Sequence, residues 1–175
     1  IIHYLKREVF PQQTHRRLFL DVGPGLGVLT KAWGRYFEQV AVMEPLDELL
    51  SLYQTMGCTV IQEPFLSYRT PLQADFILAA HWLYRLPVTK WRSAIQKMMN
   101  ALAPGGVLML VLSAPRGAHH DLCTQIRANY CHSGHLALAL ESLGLAYQKQ
   151  ANLIQYTTQT NDVMAEICRF LIVEN

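Results

Sequence analysis

The sequence predicts an α/β protein with a three-layer, Rossmann-like architecture, in which a mostly parallel sheet carries helices on both faces. Apolar runs of strand length alternate with segments of helical periodicity, and a glycine-rich loop joins the first strand to a helix. The continuously apolar run Val107–Leu112 also favours this class, because a parallel strand covered on both faces lacks a polar side. Ligands bind at the carboxyl ends of such strands, so the site is expected at that edge.

The elements follow one another in an alternating order. Short apolar or alternating runs predict strands at Arg17–Val22, Val40–Met43, Cys58–Ile61, Asp75–Ala79, Val107–Ser113 and Leu145–Tyr156. Helical periodicity, with Gly57 and Gly144 as stop signals, predicts helices at Ile2–Val9, Leu26–Phe37, Leu46–Met56, Val88–Leu102, His119–Asn129, Leu136–Leu143 and Asp162–Leu171. Pro104 and Gly105 predict a type II turn before the fifth strand.

Length and composition predict a single domain over residues 1–175. The chain is 51% hydrophobic and has a net charge of +2, which is too weak to indicate a nucleic-acid partner. No apolar run reaches the roughly 18 residues of a membrane span, and the four cysteines follow no disulfide framework, so a cytoplasmic protein with reduced thiols is expected. The first residue is Ile, so the domain is expected to be truncated at one or both ends.

The loop after the first strand determines the kind of ligand. Gly23 and Gly25 are expected to let the backbone turn sharply and a ligand approach, and Gly27 to let the next helix pack closely. The spacing is G-x-G-x-G, with Val28 where the dinucleotide pattern has its last glycine. Asp21, at the strand end, would repel a pyrophosphate and attract an ammonium group. A nicotinamide-dependent oxidoreductase is therefore disfavoured.

A second acid, Glu44, ends the second strand and can accept two hydrogen bonds from ribose hydroxyls. A ligand with a ribose and an amino-acid group, but no pyrophosphate, fits both Asp21 and Glu44. S-adenosylmethionine is such a ligand, with its carboxylate at the loop amides and its ammonium near Asp21. The alternative is that Asp21 only caps the following helix and Glu44 lies on the surface.

Four stretches resemble the class I S-adenosylmethionine-dependent methyltransferases in order and spacing: "LDVGPGLG", "VAVMEP", "ADFILAAHWLYRLP" and "LAPGGVLMLVLS". This resemblance implies a seven-stranded sheet whose last strand is antiparallel, supplied by "ICRFLIVE" or by chain beyond Asn175. Two further pieces, "WLYRLP" and "LESLGLAYQKQ", are faintly similar to histamine N-methyltransferases and favour a small amine as acceptor.

The resemblance also implies which residues hold the cofactor. Asp21, Gly23, Pro24 and Gly25 would hold the methionyl part. Glu44, Pro45 and Leu46 would contact the ribose and the adenine, and Glu63 would meet the adenine amino group. Ala80 and His81, after the fourth strand, would lie beside the methyl group.

Three residues after the fourth strand are the candidates for catalysis. His81 could accept a proton or orient the substrate, and Trp82 and Tyr84 could line the pocket and favour a cation. The alternative is that Trp82 belongs to the core and His81 is structural. The base-methylating Asn-Pro-Pro-Tyr pattern and a catalytic cysteine are both absent from this stretch. Methylation of nitrogen or oxygen in a small molecule is therefore expected, and the rival hypothesis is a non-catalytic binding domain of the same fold.

Histidines and cysteines also cluster in "HHDLC" and "CHSGH". The set His119, His120, Cys123, His132 and His135 has no metal-site spacing, so no metal is expected. These residues are interpreted as part of a solvent-facing helix pair near the substrate entrance, where His119 or His120 could touch substrate.

Overall fold

A computed structural model describes residues 4–13, 15–69, 71–127, 129–152, 157 and 160–166. Its centre is a sheet of five parallel strands in the order β3-β2-β1-β4-β5. The strands are β1 (Leu18–Val22), β2 (Gln39–Met43), β3 (Thr59–Ile61), β4 (Ala74–Ala80) and β5 (Leu102–Val111). All five strands that the sequence predicts up to residue 113 are therefore present, and the Rossmann-like fold class is confirmed.

Helices connect the strands and cover the sheet. They are α1 (Val28–Gly34), α2 (Leu50–Thr55), α3 (Val88–Asn100), α4 (Ala118–Ile126) and α5 (Ser133–Ser142). A π-helical turn at Leu5–Val9 precedes β1 and continues into a 3₁₀ turn at Phe10–Gln12, and further 3₁₀ turns lie at Asp47–Leu49 and Leu83–Arg85.

Alternation along the strands divides the core into two layers, because successive side chains of a strand point to opposite faces. Phe19 and Phe76 pack with Trp33 of α1 and with Leu5 and Phe10 of the N-terminal turns. On the other face, Leu20, Val22, Ile77 and Ala79 pack with Met98 of α3, and Leu136 and Leu140 of α5 share an apolar cluster with α3 and β5. The sheet is thus covered on both faces, as its apolar strands predict.

A buried aspartate secures the amino end of the sheet. Asp75 of β4 is 5% exposed, and its Oδ2 accepts hydrogen bonds from the Arg17 and Leu18 amides at 2.7 and 2.9 Å. These two bonds fix where β1 begins, at the edge opposite to the expected site. Two amide donors also give the carboxylate the hydrogen bonds that a buried charge needs.

Several predicted boundaries are wrong. Residues 145–152 form no strand, so the predicted strand Leu145–Tyr156 is absent from the described part of its range, and residues 153–156 lie outside it. The fifth strand begins at Leu102, because Leu102 already pairs with Ala74 of β4. The pairing is then irregular until Val107 meets Phe76, with Gly105 at φ +75° in between. Helix α5 begins three residues earlier than predicted, since the His132 side chain caps it. The first half of the predicted helix Asp162–Leu171 is helical, within a described helix at 161–166. Its second half and all of "ICRFLIVE" lie outside the described residues.

Among the described residues, no helix has both the length and the apolar character that crossing a membrane requires. The three described cysteines, Cys58, Cys123 and Cys131, are free thiols.

Candidate functional site

The candidate site lies where the order of strands reverses, between β1 and β4. The chain leaves β1 towards β2 on one side and later adds β4 and β5 on the other, and this switch opens a crevice at the carboxyl ends of the two central strands. Asp21 pairs with Val42 on one neighbour and with Leu78 on the other, so it stands at the centre of this edge. The glycine loop follows β1, and His81 follows β4.

Asp21 is an almost wholly buried acid at this edge. It is 1% exposed, and its Oδ2 accepts a hydrogen bond of 2.7 Å from the Thr30 hydroxyl of α1. Burial raises the pKa of its carboxyl to about 7, and the Thr30 bond opposes that rise only in part. Asp21 does contact the following helix, through a side chain rather than as a backbone cap. A carboxylate so poorly compensated favours a cationic group arriving beside it.

Glu44 occupies the matching position at the end of β2. It is 6% exposed, so the alternative that it is a surface residue is wrong. Its Oε1 accepts a 3.1 Å hydrogen bond from the Leu46 amide, and its own amide donates to the Ile61 carbonyl of β3. The side chain is therefore fixed at the strand end while Leu46 beside it is half exposed. The exposed apolar side chain of Leu46 suits contact with a flat ring, and the buried Glu44 beside it suits a ribose that carries this ring.

The glycines of the loop have different roles. A Cβ on Gly23 would lie 2.1 Å from Cδ1 of Trp82, so its bare face is filled by protein and not by a ligand. A Cβ on Gly25 would meet nothing within 4 Å, and its φ is +58°. Gly25 is thus the glycine that leaves open space in the crevice. Gly27 packs against Tyr53 of α2 and against Met56 just after α2. The sequence predicted a different role, in which Gly27 lets α1 pack closely on β1.

Sequence reasoning missed Tyr53. This residue of α2 is fully buried, and its hydroxyl donates a hydrogen bond to the carbonyl of Gly25. Burial raises its pKa well above the usual range, and the charges of Glu44 and Asp21 raise it further, which places the phenol close to both acids. The sequence offered one signal for this contact: a tyrosine in a buried position needs a hydrogen-bond partner for its hydroxyl. The partner lies 28 residues earlier in the chain.

The three candidate catalytic residues lie together after β4. Trp82 is half-buried between Gly23 and Phe65, whose ring it meets edge-on at 5.5 Å. His81 is exposed, has a φ of +54°, and its amide donates to the Val111 carbonyl at 2.9 Å. Its ring lies 5.8 Å from that of Tyr84. Desolvation and then the nearby charge of His119 lower the pKa of His81, which favours the neutral imidazole that can accept a proton.

Tyr84 is held by a residue that the sequence did not indicate. Its Oη accepts a hydrogen bond from the Ser113 amide just after β5, so its own proton remains available for donation. Burial raises the pKa of Tyr84 to about 12, against the lowering effect of Ser113. Tyr84 is therefore a neutral hydrogen-bond donor at neutral pH.

The other predicted cofactor residues lie on the same rim. Pro24 and Ala80 are partly buried at the ends of β1 and β4, and Pro45 is exposed after Glu44. Glu63 is exposed two residues after β3, at the outer edge of the sheet. Its assignment to the adenine amino group remains a prediction.

Three histidines of "HHDLC" and "CHSGH" pack against the ring of Tyr130: His119, His120 and His132. Cys123 Sγ lies 3.3 Å from His119 Nε2, and the rings of His132 and His135 are 4.3 Å apart. No three His, Cys, Asp or Glu side chains in the described parts of the chain are arranged to hold a metal ion.

The profile of a family described as "Methyltransferase domain" matches residues 2–159, and the chain belongs to that family. Comparison with curated protein sequences gives no match. Among solved structures, YcgJ from Bacillus subtilis is similar over 97% of this chain and 78% of its own, with a TM-score of 0.67 and 17% identity. NodS, an N-methyltransferase from Bradyrhizobium japonicum solved with S-adenosyl-L-homocysteine, is 20% identical with a TM-score of 0.61, over 73% of this chain and 65% of NodS.

A third similar structure is CalS10, an amino pentose methyltransferase from Micromonospora echinaspora solved with S-adenosylmethionine bound. It is 25% identical with a TM-score of 0.52, over 57% of this chain. The matched region spans 44% of CalS10 and 47% of DesVI from Streptomyces venezuelae, which is less than half of each. The chain is therefore a domain of this methyltransferase family with the Rossmann-like fold that the sequence predicts.

Proposed function

We propose that this protein transfers a methyl group from S-adenosylmethionine to a nitrogen or oxygen of a small-molecule acceptor. The observation that carries the proposal is the pair of buried acids at adjacent strand ends, Asp21 and Glu44, on either side of a loop whose Gly25 leaves open space. That arrangement suits a ligand with a cationic group and a ribose, and does not suit a diphosphate.

The cofactor is assigned to residues on three strand ends. Asp21, Pro24 and Gly25 would hold its methionyl part, with Gly23 shaping the loop against Trp82. Glu44 would accept from the ribose, Pro45 and Leu46 would pack on the adenine, and Glu63 would meet its amino group. When bound, S-adenosylmethionine supplies a methyl group attached to a cationic sulfur. A lone pair on nitrogen or oxygen can attack the methyl carbon in line and displace the sulfur.

The chain's own contribution to the transfer is orientation and proton removal. His81, with its lowered pKa, would accept the proton that the acceptor loses. Tyr84 would donate a hydrogen bond to the acceptor, and the indole of Trp82 would line the space between the loop and His81. Ala80 leaves room beside the reacting centre.

The acceptor is proposed as a small molecule, in the cytoplasm, with no nucleic acid involved. The weak net charge of +2 supports this, as does the similarity to CalS10, whose acceptor is an amino pentose. An amine needs its lone pair free of a proton, and a neutral imidazole at the rim meets that need.

Two measurements test the proposal. Calorimetry with S-adenosylmethionine and S-adenosylhomocysteine should show saturable binding, and a labelled-methyl screen against amines, phenols, carboxylates and transfer RNA should label a small molecule. Absence of cofactor binding in a folded sample contradicts the whole proposal. Binding without transfer to any acceptor favours the rival, a non-catalytic domain, and labelling of transfer RNA contradicts the small-molecule acceptor.

A further inference from the structure

A second polar cluster lies beyond His81, at the carboxyl ends of β4 and β5. It consists of His119 and His120 in the first turn of α4, Tyr130, and His132 and Ser133 at the start of α5. The ring of Tyr130 is 6.0 Å from His119, 5.7 Å from His120 and 6.1 Å from His132, centre to centre. We refer to these five residues as the histidine–tyrosine cluster.

Three side-chain atoms of this cluster are buried without a hydrogen-bond partner among the described residues. They are His120 Nδ1, Tyr130 Oη and Ser133 Oγ. Tyr130 as a whole is only 8% exposed. Ser113 lies near enough to oppose the rise that burial causes in the pKa of Tyr130, yet the pair does not meet hydrogen-bond geometry. Each unpartnered group costs about 1–3 kcal/mol, so their concentration in one place indicates a partner that completes them.

The chemistry of the three atoms defines that partner. A phenol, an alcohol and an imidazole nitrogen can all donate a hydrogen bond, so a ligand that completes the three atoms has to offer acceptors. His120 and Ser133 lie in the first turns of two helices of nine and ten residues, whose amino ends favour negative charge. The acid closest in sequence, Asp121, is exposed. A ligand with accepting, negatively charged oxygens therefore suits the cluster.

The cluster adjoins the proposed methyl-transfer site through Ser113. The Ser113 amide donates to Tyr84 Oη, and its carbonyl accepts a 2.9 Å bond from the Ser133 amide. Tyr84 in turn lies beside the ring of His81, and His119 is close enough to affect the charge of His81. A small molecule held by the cluster would thus reach towards His81.

We propose that the histidine–tyrosine cluster binds an anionic oxygen group of the methyl acceptor, a carboxylate or a phosphate-type group. This rests on the proposed function, and it narrows the acceptor to a small molecule that has an acidic group besides its methyl-accepting nitrogen or oxygen. The alternative is that ordered water alone completes the three buried atoms.

The test is NMR of the imidazole signals while inorganic phosphate, or acetate in a second arm, is added to the whole chain. Sodium chloride at equal ionic strength is the control for screening. The signals of His120 and His132 should shift saturably, and Tyr130→Phe and Ser133→Ala should each weaken binding at least about tenfold. Arg35→Gln, in the basic group of His15, Arg16 and Arg17 at the opposite edge, should leave the affinity unchanged. The stronger of the two arms identifies the acidic group.

Several outcomes overturn the inference: no saturable shift with either anion, equal affinity in Tyr130→Phe and Ser133→Ala, or loss of binding in Arg35→Gln. Calorimetry with S-adenosylmethionine on the same samples separates this result from the proposed function. Cofactor binding without anion binding contradicts the cluster's role alone, whereas absence of cofactor binding contradicts the proposed function whatever the anions do.

Discussion

The hydroxyl of Tyr53 donates a hydrogen bond to the carbonyl of Gly25. It joins the helix after β2 to the loop after β1, and so links the two strand ends that carry Glu44 and Asp21. Gly25 has a left-handed φ of +58° and open space beside its Cα, so this bond supports the backbone where it is least restrained by packing. Tyr53 is therefore a positioning residue for the loop.

Replacing Tyr53 by Phe tests that role. The ring keeps its buried packing, but the Gly25 carbonyl loses its donor, so we expect a loss of about 1 kcal/mol in the free energy of unfolding. Affinity for S-adenosylmethionine should fall about five- to twentyfold as the loop loosens. Urea unfolding and calorimetry measure the two effects. Tyr147→Phe, at a residue 44% exposed, is the matched control, and equal affinity in both variants contradicts the positioning role.

Asp21→Asn should separate binding from stability. The pKa of the Asp21 carboxyl is raised from 3.8 to about 7 in the folded protein. Between these two pH values, the folded protein therefore holds a proton that the unfolded chain has already lost. The wild-type free energy of unfolding should therefore fall as the pH rises from about 4 to about 7, by at most about 4 kcal/mol. Asparagine can still accept from Thr30 and does not titrate, so the variant should lack this slope and be at least as stable at pH 7.5.

Affinity for the cofactor should fall in Asp21→Asn, although the stability at pH 7.5 should not. Without a carboxylate for the ammonium, Asp21→Asn should bind S-adenosylmethionine at least about thirtyfold more weakly. Asp75→Asn is the control, because that buried aspartate accepts two backbone amides at the far edge. It should lose about 2–3 kcal/mol of stability with unchanged cofactor affinity. Unchanged binding in Asp21→Asn would show that this acid is only structural.

The strand ends and their two acids could be predicted from the sequence, because each strand is a short apolar run and each acid follows one directly. The contacts that complete the site could not. Thr30, Tyr53 and Ser113 approach their partners through the tertiary structure, over separations of 9 to 29 residues, and no local pattern marks them. The predicted strand at Leu145–Tyr156 shows the same limit, since alternation indicates a strand but cannot show that a partner strand accepts it.

The glycines give a prediction that distinguishes packing from ligand space. Gly23→Ala would place a Cβ against Trp82, so it should lower the free energy of unfolding by about 2–4 kcal/mol. Gly25→Ala meets no atom and should cost only the backbone strain, about 1–2 kcal/mol. Its methyl group would occupy the open space, so S-adenosylmethionine binding should be lost while the fold persists. Thermal unfolding with and without cofactor measures the stability and the cofactor binding of both variants. Normal binding by Gly25→Ala contradicts the proposed location of the cofactor beside Gly25.

His81 should give the transfer its pH dependence. Desolvation and the charge of His119 lower its pKa below the usual 6.5, so the fraction able to accept a proton grows as the pH rises through that lowered value. With an acceptor found in the labelled-methyl screen, and after correction for the acceptor's own titration, kcat/KM should rise below pH 6.5 and level off above it. His81→Asn is the suitable variant, because asparagine tolerates the left-handed φ of +54° and removes the titrating ring. The rising limb should vanish in His81→Asn and persist in His15→Asn at the other edge of the sheet; an unchanged profile in His81→Asn excludes His81 as the base.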